Sequence, residues 1–197
     1  MEKPIFKRLF AYVVDIIIVA VIASLFIDLP IVNPYLDKYI ELSESMINYL
    51  TGVEVLTQDA INKMQYDFIY YSFYASLTLL IIKALYFIIF QYINGGKTIG
   101  KAIFKIEMVS VKKKLKLHQV LISSLIMCNI LTQGITLLLL RTQSMNTFLK
   151  ASNIISGIEM FILMTSIFLI LMRKDGRGLH DLISGTLVKY REKERKE

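Results

Sequence analysis

Tryptophan is absent, cysteine occurs once and histidine only twice. The lone cysteine, Cys128, lies in an apolar run, which excludes a disulfide framework and any CxxC or Cys/His metal spacing. His118 and His180 are far apart in sequence and form no ligand cluster. No nucleophile and base arrangement is visible either, so neither an enzyme nor a cofactor or metal is expected. A P-loop is also missing: Gly95-Gly96-Lys97-Thr98 lacks the GxxxxGK[ST] spacing and the preceding soluble strand. The net charge of +7 could suit nucleic acid, but the basic residues are not arranged as a groove-lining patch, and no nucleic-acid partner is expected. The first apolar run has no convincing small-residue cleavage site and is expected to stay as a mature helix.

What the chain has is apolar surface: 55% of residues are hydrophobic, and the mean hydropathy is positive. This composition points to an all-α integral membrane protein, one domain over residues 1–190 with a charged tail at 191–197. Four runs are long enough to cross about 30 Å of hydrocarbon, at about 9–29, 66–92, 117–140 and 151–172. Lysine and arginine cluster in the head (Lys3, Lys7, Arg8), in the loop at 94–117 and beyond Met172. Few lie elsewhere, so the expected fold is a four-transmembrane-helix bundle with both termini cytoplasmic. The basic half-loop around Lys97, Lys101 and Lys105 suits an anionic inner leaflet.

The outer insert at 30–65 is acidic and patterned. Asn33-Pro34 should open a helix that Gly52 stops, and Thr57-Gln58-Asp59 should open a second that runs without a break into span two. It reads as an amphipathic lid rather than a ligand-binding domain. Span two carries tyrosine and phenylalanine at both ends, including Tyr66, Tyr70, Tyr86 and Tyr92, the placement of an interfacial belt. In the inner loop, Ile106, Met108, Val109 and Val111 alternate before Lys112-Lys113-Lys114, which predicts a short β-hairpin. Thr186 to Tyr190 should form a further strand that pairs with it.

Ionisable side chains inside spans usually have a partner or a function. Arg8 and Asp15 are two turns apart on one face of the first helix, roughly 10 Å along the axis, and that face, with Ala11, should point into protein. Lys83 lies at a depth that nearly matches Asp15, so a buried Lys83–Asp15 contact is one reading and a snorkelling Lys83 the other. In span three, Asn129, Gln133 and Thr136 recur at i, i+4, i+7 as a polar stripe that either bonds helices together or lines a hydrated path. Glu159 in span four should face Asn129 or Gln133, exchanging a proton or only holding helices together.

Three stretches, Arg8-Leu-Phe-Ala-Tyr-Val-Val-Asp15, Gly96-Lys-Thr-Ile-Gly-Lys101 and the tail Arg173 to Lys189 with His-Asp-Leu-Ile-Ser-Gly-Thr, together resemble the RDD family of prokaryotic membrane proteins. The resemblance covers nearly the whole chain except the outer loop. It implies that the arginine is Arg8, the first aspartate Asp15 and the second Asp181, with Gly96, Gly100, Lys101, Arg177, His180, Gly185 and Thr186 as motif positions. Lys105 departs from it, since the family often has glycine there. It also implies a small helical module of the prokaryotic cytoplasmic membrane, often described as transporting an unknown ligand.

On the residues themselves, Asp181 at the rim should reach Arg8, either as a proton or ion gate or as a clasp holding the tail against span one. The expected function is therefore a transport module, with Asp15 as the buried titratable group, Arg8 and Asp181 at the gate and Glu159 in the outer half. Four spans make a thin wall, so a homodimer or a membrane partner is expected. The alternative is a non-transporting subunit that binds or regulates another envelope protein.

Overall fold

A computed structural model describes residues 4–53, 56–112 and 114–191. The first helix, α1 (Ile5–Ile27), follows Pro4 and continues for 23 residues because nothing in its apolar run breaks it. Its buried residues are Ala11, Asp15, Val19 and Ala23, a stripe at i+4 spacing that faces the rest of the protein. Val13, Ile17 and Val21 turn outward. Two alanines in the stripe let neighbouring backbone approach closely.

The next helices, α2 (Leu36–Leu50) and α3 (Gln58–Tyr71), pack on each other. Asn33 does not cap α2: its Oδ1 accepts from Tyr35 N at 3.3 Å, a turn that delays the helix to Leu36. Thr57 caps α3, its hydroxyl accepting from Ala60 N at 3.4 Å. The expected unbroken passage from α3 into span two is interrupted at Ser72, and α4 runs from Phe73 to Ile93. Within α4, Leu85–Phe90 is wound as a π-helix, and this wider turn presents Tyr86, Phe87 and Ile88 together to the core.

After α4 a tight loop leads to α5 (Ile99–Ile103) and then to β1 (Ile106–Ser110). The third span is not one straight helix. It is α6 (Leu117–Met127) and α7 (Ile130–Thr142), bent by 63° at Cys128–Asn129, where Asn129 has φ 54°. Asn129 therefore stands outside both helices and does not share a side-chain stripe with Gln133 and Thr136. Its carbonyl starts α7 instead, accepting from Gln133 N at 3.0 Å. The last long helix, α8 (Met145–Met172), begins six residues before the expected span, so it includes Lys150. Arg141, just before it, lies over the Phe73 and Tyr70 rings at 4.1 and 4.8 Å.

Three helices, α1, α4 and α8, are long and apolar enough to cross a membrane, and the bent α6–α7 pair makes a fourth if it counts as one span. Tyr86, Phe87 and Ile88 of α4 pack with Val19 of α1, Cys128 and Ile130, forming the main apolar cluster.

The chain finishes with α9 (Leu179–Ser184) and β2 (Thr186–Tyr190). β1 pairs with β2 in antiparallel register, Ile106 opposite Tyr190 and Ser110 opposite Thr186. The expected hairpin within the inner loop is not formed among the described residues: the partner of β1 is the tail strand, 76 residues or more away in sequence. Lys113, at the expected hairpin turn, lies outside the described residues, as does most of the charged tail. Ile106 and Val188 point from this ribbon onto Ala11 of α1. The start of α1, α5, the ribbon and α9 thus gather at one end of the bundle, here called the base. α2 and the start of α3 lie toward the other end, the apex.

Lys105, between α5 and β1, has φ 56°, a left-handed conformation that costs a side-chain-bearing residue about 1–2 kcal/mol and costs glycine nothing. Its carbonyl is fixed, accepting from Arg191 N at 2.9 Å. Lys105→Gly is expected to stabilise the fold by about 1 kcal/mol, read as a rise in melting temperature in detergent. A fall would show that the lysine side chain holds this turn.

Candidate functional site

Asp15 sits on the buried stripe of α1, almost wholly inaccessible. Its partners come from α4 and from the loop that folds back as α5. Tyr86 Oη donates to Oδ1 at 2.7 Å, Gly100 N donates to the same oxygen at 2.7 Å, and Thr98 Oγ1 donates to Oδ2 at 2.5 Å. Each hydroxyl is itself oriented by a backbone donor, Ile99 N to Tyr86 Oη at 3.1 Å and Lys101 N to Thr98 Oγ1 at 3.2 Å. With those lone pairs occupied, both hydroxyl protons point at the carboxylate, and three donors satisfy it without a cation.

This assembly explains the Gly96-Lys-Thr-Ile-Gly-Lys101 stretch residue by residue. Thr98 is both the cap of α5 and a ligand of Asp15. At Gly100 a Cβ would lie 2.2 Å from the Ala11 carbonyl oxygen and 2.8 Å from Asp15 Oδ1, so no larger residue lets α5 reach α1. Gly96 has φ 85°, and a Cβ there would meet the Met108 carbonyl at 2.1 Å.

Two turns nearer the base, Arg8 gathers the tail. Its Nη1 donates to the Gly176 carbonyl at 2.6 Å, its Nη2 pairs with Asp181 Oδ2, and Nη2 also lies 3.4 Å from His180 Nε2. Asp181 is fully buried and accepts further from Gly178 N and Thr186 Oγ1, each at 3.2 Å. His180 Nδ1 contacts Ser166 Oγ of α8 at 2.9 Å, which ties the knot to the last span. Gln119 of α6 donates to the carbonyls of Ser184 and Gly185, both at 3.2 Å. Gly185 closes α9 in the left-handed conformation, φ 68°.

The two aspartates face one another across a small cavity of about 20 Å³, room for about one water. Arg8, Tyr12, Lys101, His180 and Asp181 line it together with Asp15. Lys101 is buried here, and among the described residues no hydrogen-bond acceptor engages its ammonium. Burial pushes its pKa down to about 8, with the nearby Asp15 charge opposing the shift. Burial also lowers His180 below its ordinary value, with the Asp181 charge opposing the shift. For Asp181, burial acts upward, but the adjoining His180 and Arg8 hold its carboxyl below the usual carboxylate value.

The remaining candidates fall elsewhere. Lys83 does not reach Asp15: its Nζ donates to Gln133 Oε1 at 3.1 Å, and Gln133 Nε2 donates to the Ser76 carbonyl at 3.1 Å. Glu159 accepts from the hydroxyl of Thr132, which also lies 3.1 Å from the Asn129 carbonyl; among the described residues no hydrogen bond joins Glu159 to the Asn129 or Gln133 side chain. These groups form a second polar cluster, nearer the apex. Arg177 lies outside both, bonded to the exposed Asp175 at 2.7 Å. Tyr86, Thr98 and Ser166, which hold the knot, carry no signal by residue type alone: Tyr86 reads as part of an aromatic belt and Ser166 as a small helix-packing residue. A helix that folds back against α1 is what joins Tyr86 and Thr98 to Asp15.

Apolar spans around a buried ionic knot define a polytopic membrane protein. The family model of the RDD family matches residues 3–185, and the chain belongs to that family. No curated protein and no solved structure matches it.

Thr98→Val should remove a donor from a buried carboxylate together with a helix cap, a loss of about 2–3 kcal/mol, measurable as a lowered melting temperature, while Thr98→Ser should keep most of the stability. A second expectation concerns acid. The unfolded chain protonates His180 near its ordinary pKa of 6.5 and the folded chain resists, so stability should fall as pH drops through that value. His180→Gln should flatten the melting curve across that window; an unchanged slope would assign the acid sensitivity to other groups.

Proposed function

We propose that the protein is a transport module coupled to protons or monovalent cations, with the cavity at the base as its working centre. The observation that supports this reading is the Lys101 ammonium, buried against that cavity and, among the described residues, without a hydrogen-bond acceptor, beside two carboxylates that each already accept from three donors. In such a site the proton that is free to leave or return is the one on Lys101. Asp15 holds the charge that stabilises it, and Arg8 with Asp181 closes the site toward the base. Lys83, Gln133, Thr132 and Glu159 offer polar groups further along the same bundle. Discontinuous α6–α7 is the kind of broken span that transporters place at mid-membrane sites.

The same reading puts the base in the cytoplasm of a prokaryotic cell, since the head, the 94–117 loop and the tail hold most of the lysine and arginine. It assigns the chain no catalytic reaction and no cofactor. A four-span wall also implies a second copy or another membrane protein around the path. The second reading is a non-transporting subunit, favoured by α2, which buries no residue and leaves Ile40, Ile47 and Leu50 exposed at the apex.

Proteoliposomes carrying a pH-sensitive dye separate the two. Under an imposed Na⁺ or K⁺ gradient the wild type should move protons, Lys101→Met and Asp15→Asn should abolish the signal with folding intact, and Glu159→Gln should weaken it. A wild type silent under both gradients, yet recovered with a stable membrane partner, would favour the subunit reading.

A further inference from the structure

A second cleft opens at the base where α4 ends, about 490 Å³ in volume. Its polar wall is Lys97, Asn94 and Arg191, its apolar wall Phe90 and Ile99, and among the described residues no carboxylate lines it. Arg191 is placed there by its backbone, which donates to the carbonyl of the left-handed Lys105 at 2.9 Å, so the turn between α5 and β1 sets one side of the cleft. Lys97 comes from the other side, in the loop that Gly95 and Gly96 turn with positive φ.

The position of the cleft decides what fits it. Phe73–Ile93 is a candidate span, and the cleft begins at its last turns, the depth of lipid headgroups if the helix crosses. From the cleft back along α4, Ile93, Ile89, Leu85 and Ile81 are exposed at i+4 spacing, an apolar track along one face of the span. Exposed Ile99 and Ile103 of α5 extend the apolar floor at the same level. Two cations over an apolar track match a ligand that is anionic at one end and hydrocarbon at the other.

We propose that this cleft binds the headgroup of an anionic phospholipid from the leaflet at the base, with Lys97 and Arg191 on the phosphate and the acyl chains along α4. The site is independent of whether the chain moves ions. It does connect to the ionic knot, because Thr98, which donates to Asp15, also lines the cleft.

Native mass spectrometry of the full chain released from detergent tests this, with phosphatidylglycerol and phosphatidylcholine as the probes. The wild type should retain phosphatidylglycerol preferentially. Lys97→Gln combined with Arg191→Gln should weaken phosphatidylglycerol retention roughly 30-fold, the effect of removing two basic contacts at an anionic surface, and leave phosphatidylcholine unchanged. Ala102→Leu, which fills the cleft without altering charge, should weaken it as well, and Lys150→Gln on α8 should not. Equal retention of phosphatidylglycerol by the double variant would overturn the proposal, as would its displacement by millimolar inorganic phosphate, which would make the site one for free phosphate. Proton flux in the double variant reports separately on the transport reading.

Discussion

A carboxylate inside an apolar helix must be given hydrogen bonds by protein, since lipid offers none, and the base of this molecule is arranged around that requirement at Asp15. Three donors converge on it from two elements that are otherwise unrelated, the π-wound turn of α4 and the capped start of α5. To deliver them, the chain after α4 has to fold back until a glycine at 100 touches α1 backbone. That approach brings Lys101 to the cavity, sets the turn at Lys105 and aims β1 at the tail.

The base is therefore a layered polar structure. Arg8 and Asp181 fasten the tail to α1, Asp15 fastens α5 to α1, and Lys101 sits between the two layers. His180 and Gln119 extend the fastening to α8 and α6. By contrast, the apex cluster of Lys83, Gln133, Thr132 and Glu159 bonds only neighbouring helices through side chains and one carbonyl. The proposed transport path uses both levels, while the lipid cleft lies to one side of the lower one.

Much of the helical content was legible in hydropathy, because runs such as Leu9 to Leu29 leave few other solutions for a chain of this composition. The inward face of α1 followed from helical spacing, and the strand at Thr186 to Tyr190 from its own residues after the Ser184-Gly185 stop. What escaped was anything decided by chain reversal. Matching Asp15 with Lys83 by depth assumed that only spans could supply partners, whereas Thr98 and Gly100 arrive from a five-residue helix that no hydropathy window isolates. The bend at Asn129 escaped for another reason: a single left-handed residue leaves the apolar pattern on both sides intact. Lys105 is the converse case, a departure from the family's glycine at a position whose backbone shows why glycine is favoured there.

The pairing of Arg8 with Asp181 joins residues 173 positions apart. At a synthesis rate of 5–20 residues per second, Arg8 has left the ribosome roughly 10 to 35 s before its partner is made. The thermodynamic clasp is thus also a timing device in biogenesis: the tail is not fastened to the first helix until Asp181, nine residues beyond the end of the last long helix, has been translated. A premature stop before Asp181 therefore leaves a bundle in which Asp15 still fastens α5 to the first helix while Arg8 has no carboxylate from the tail.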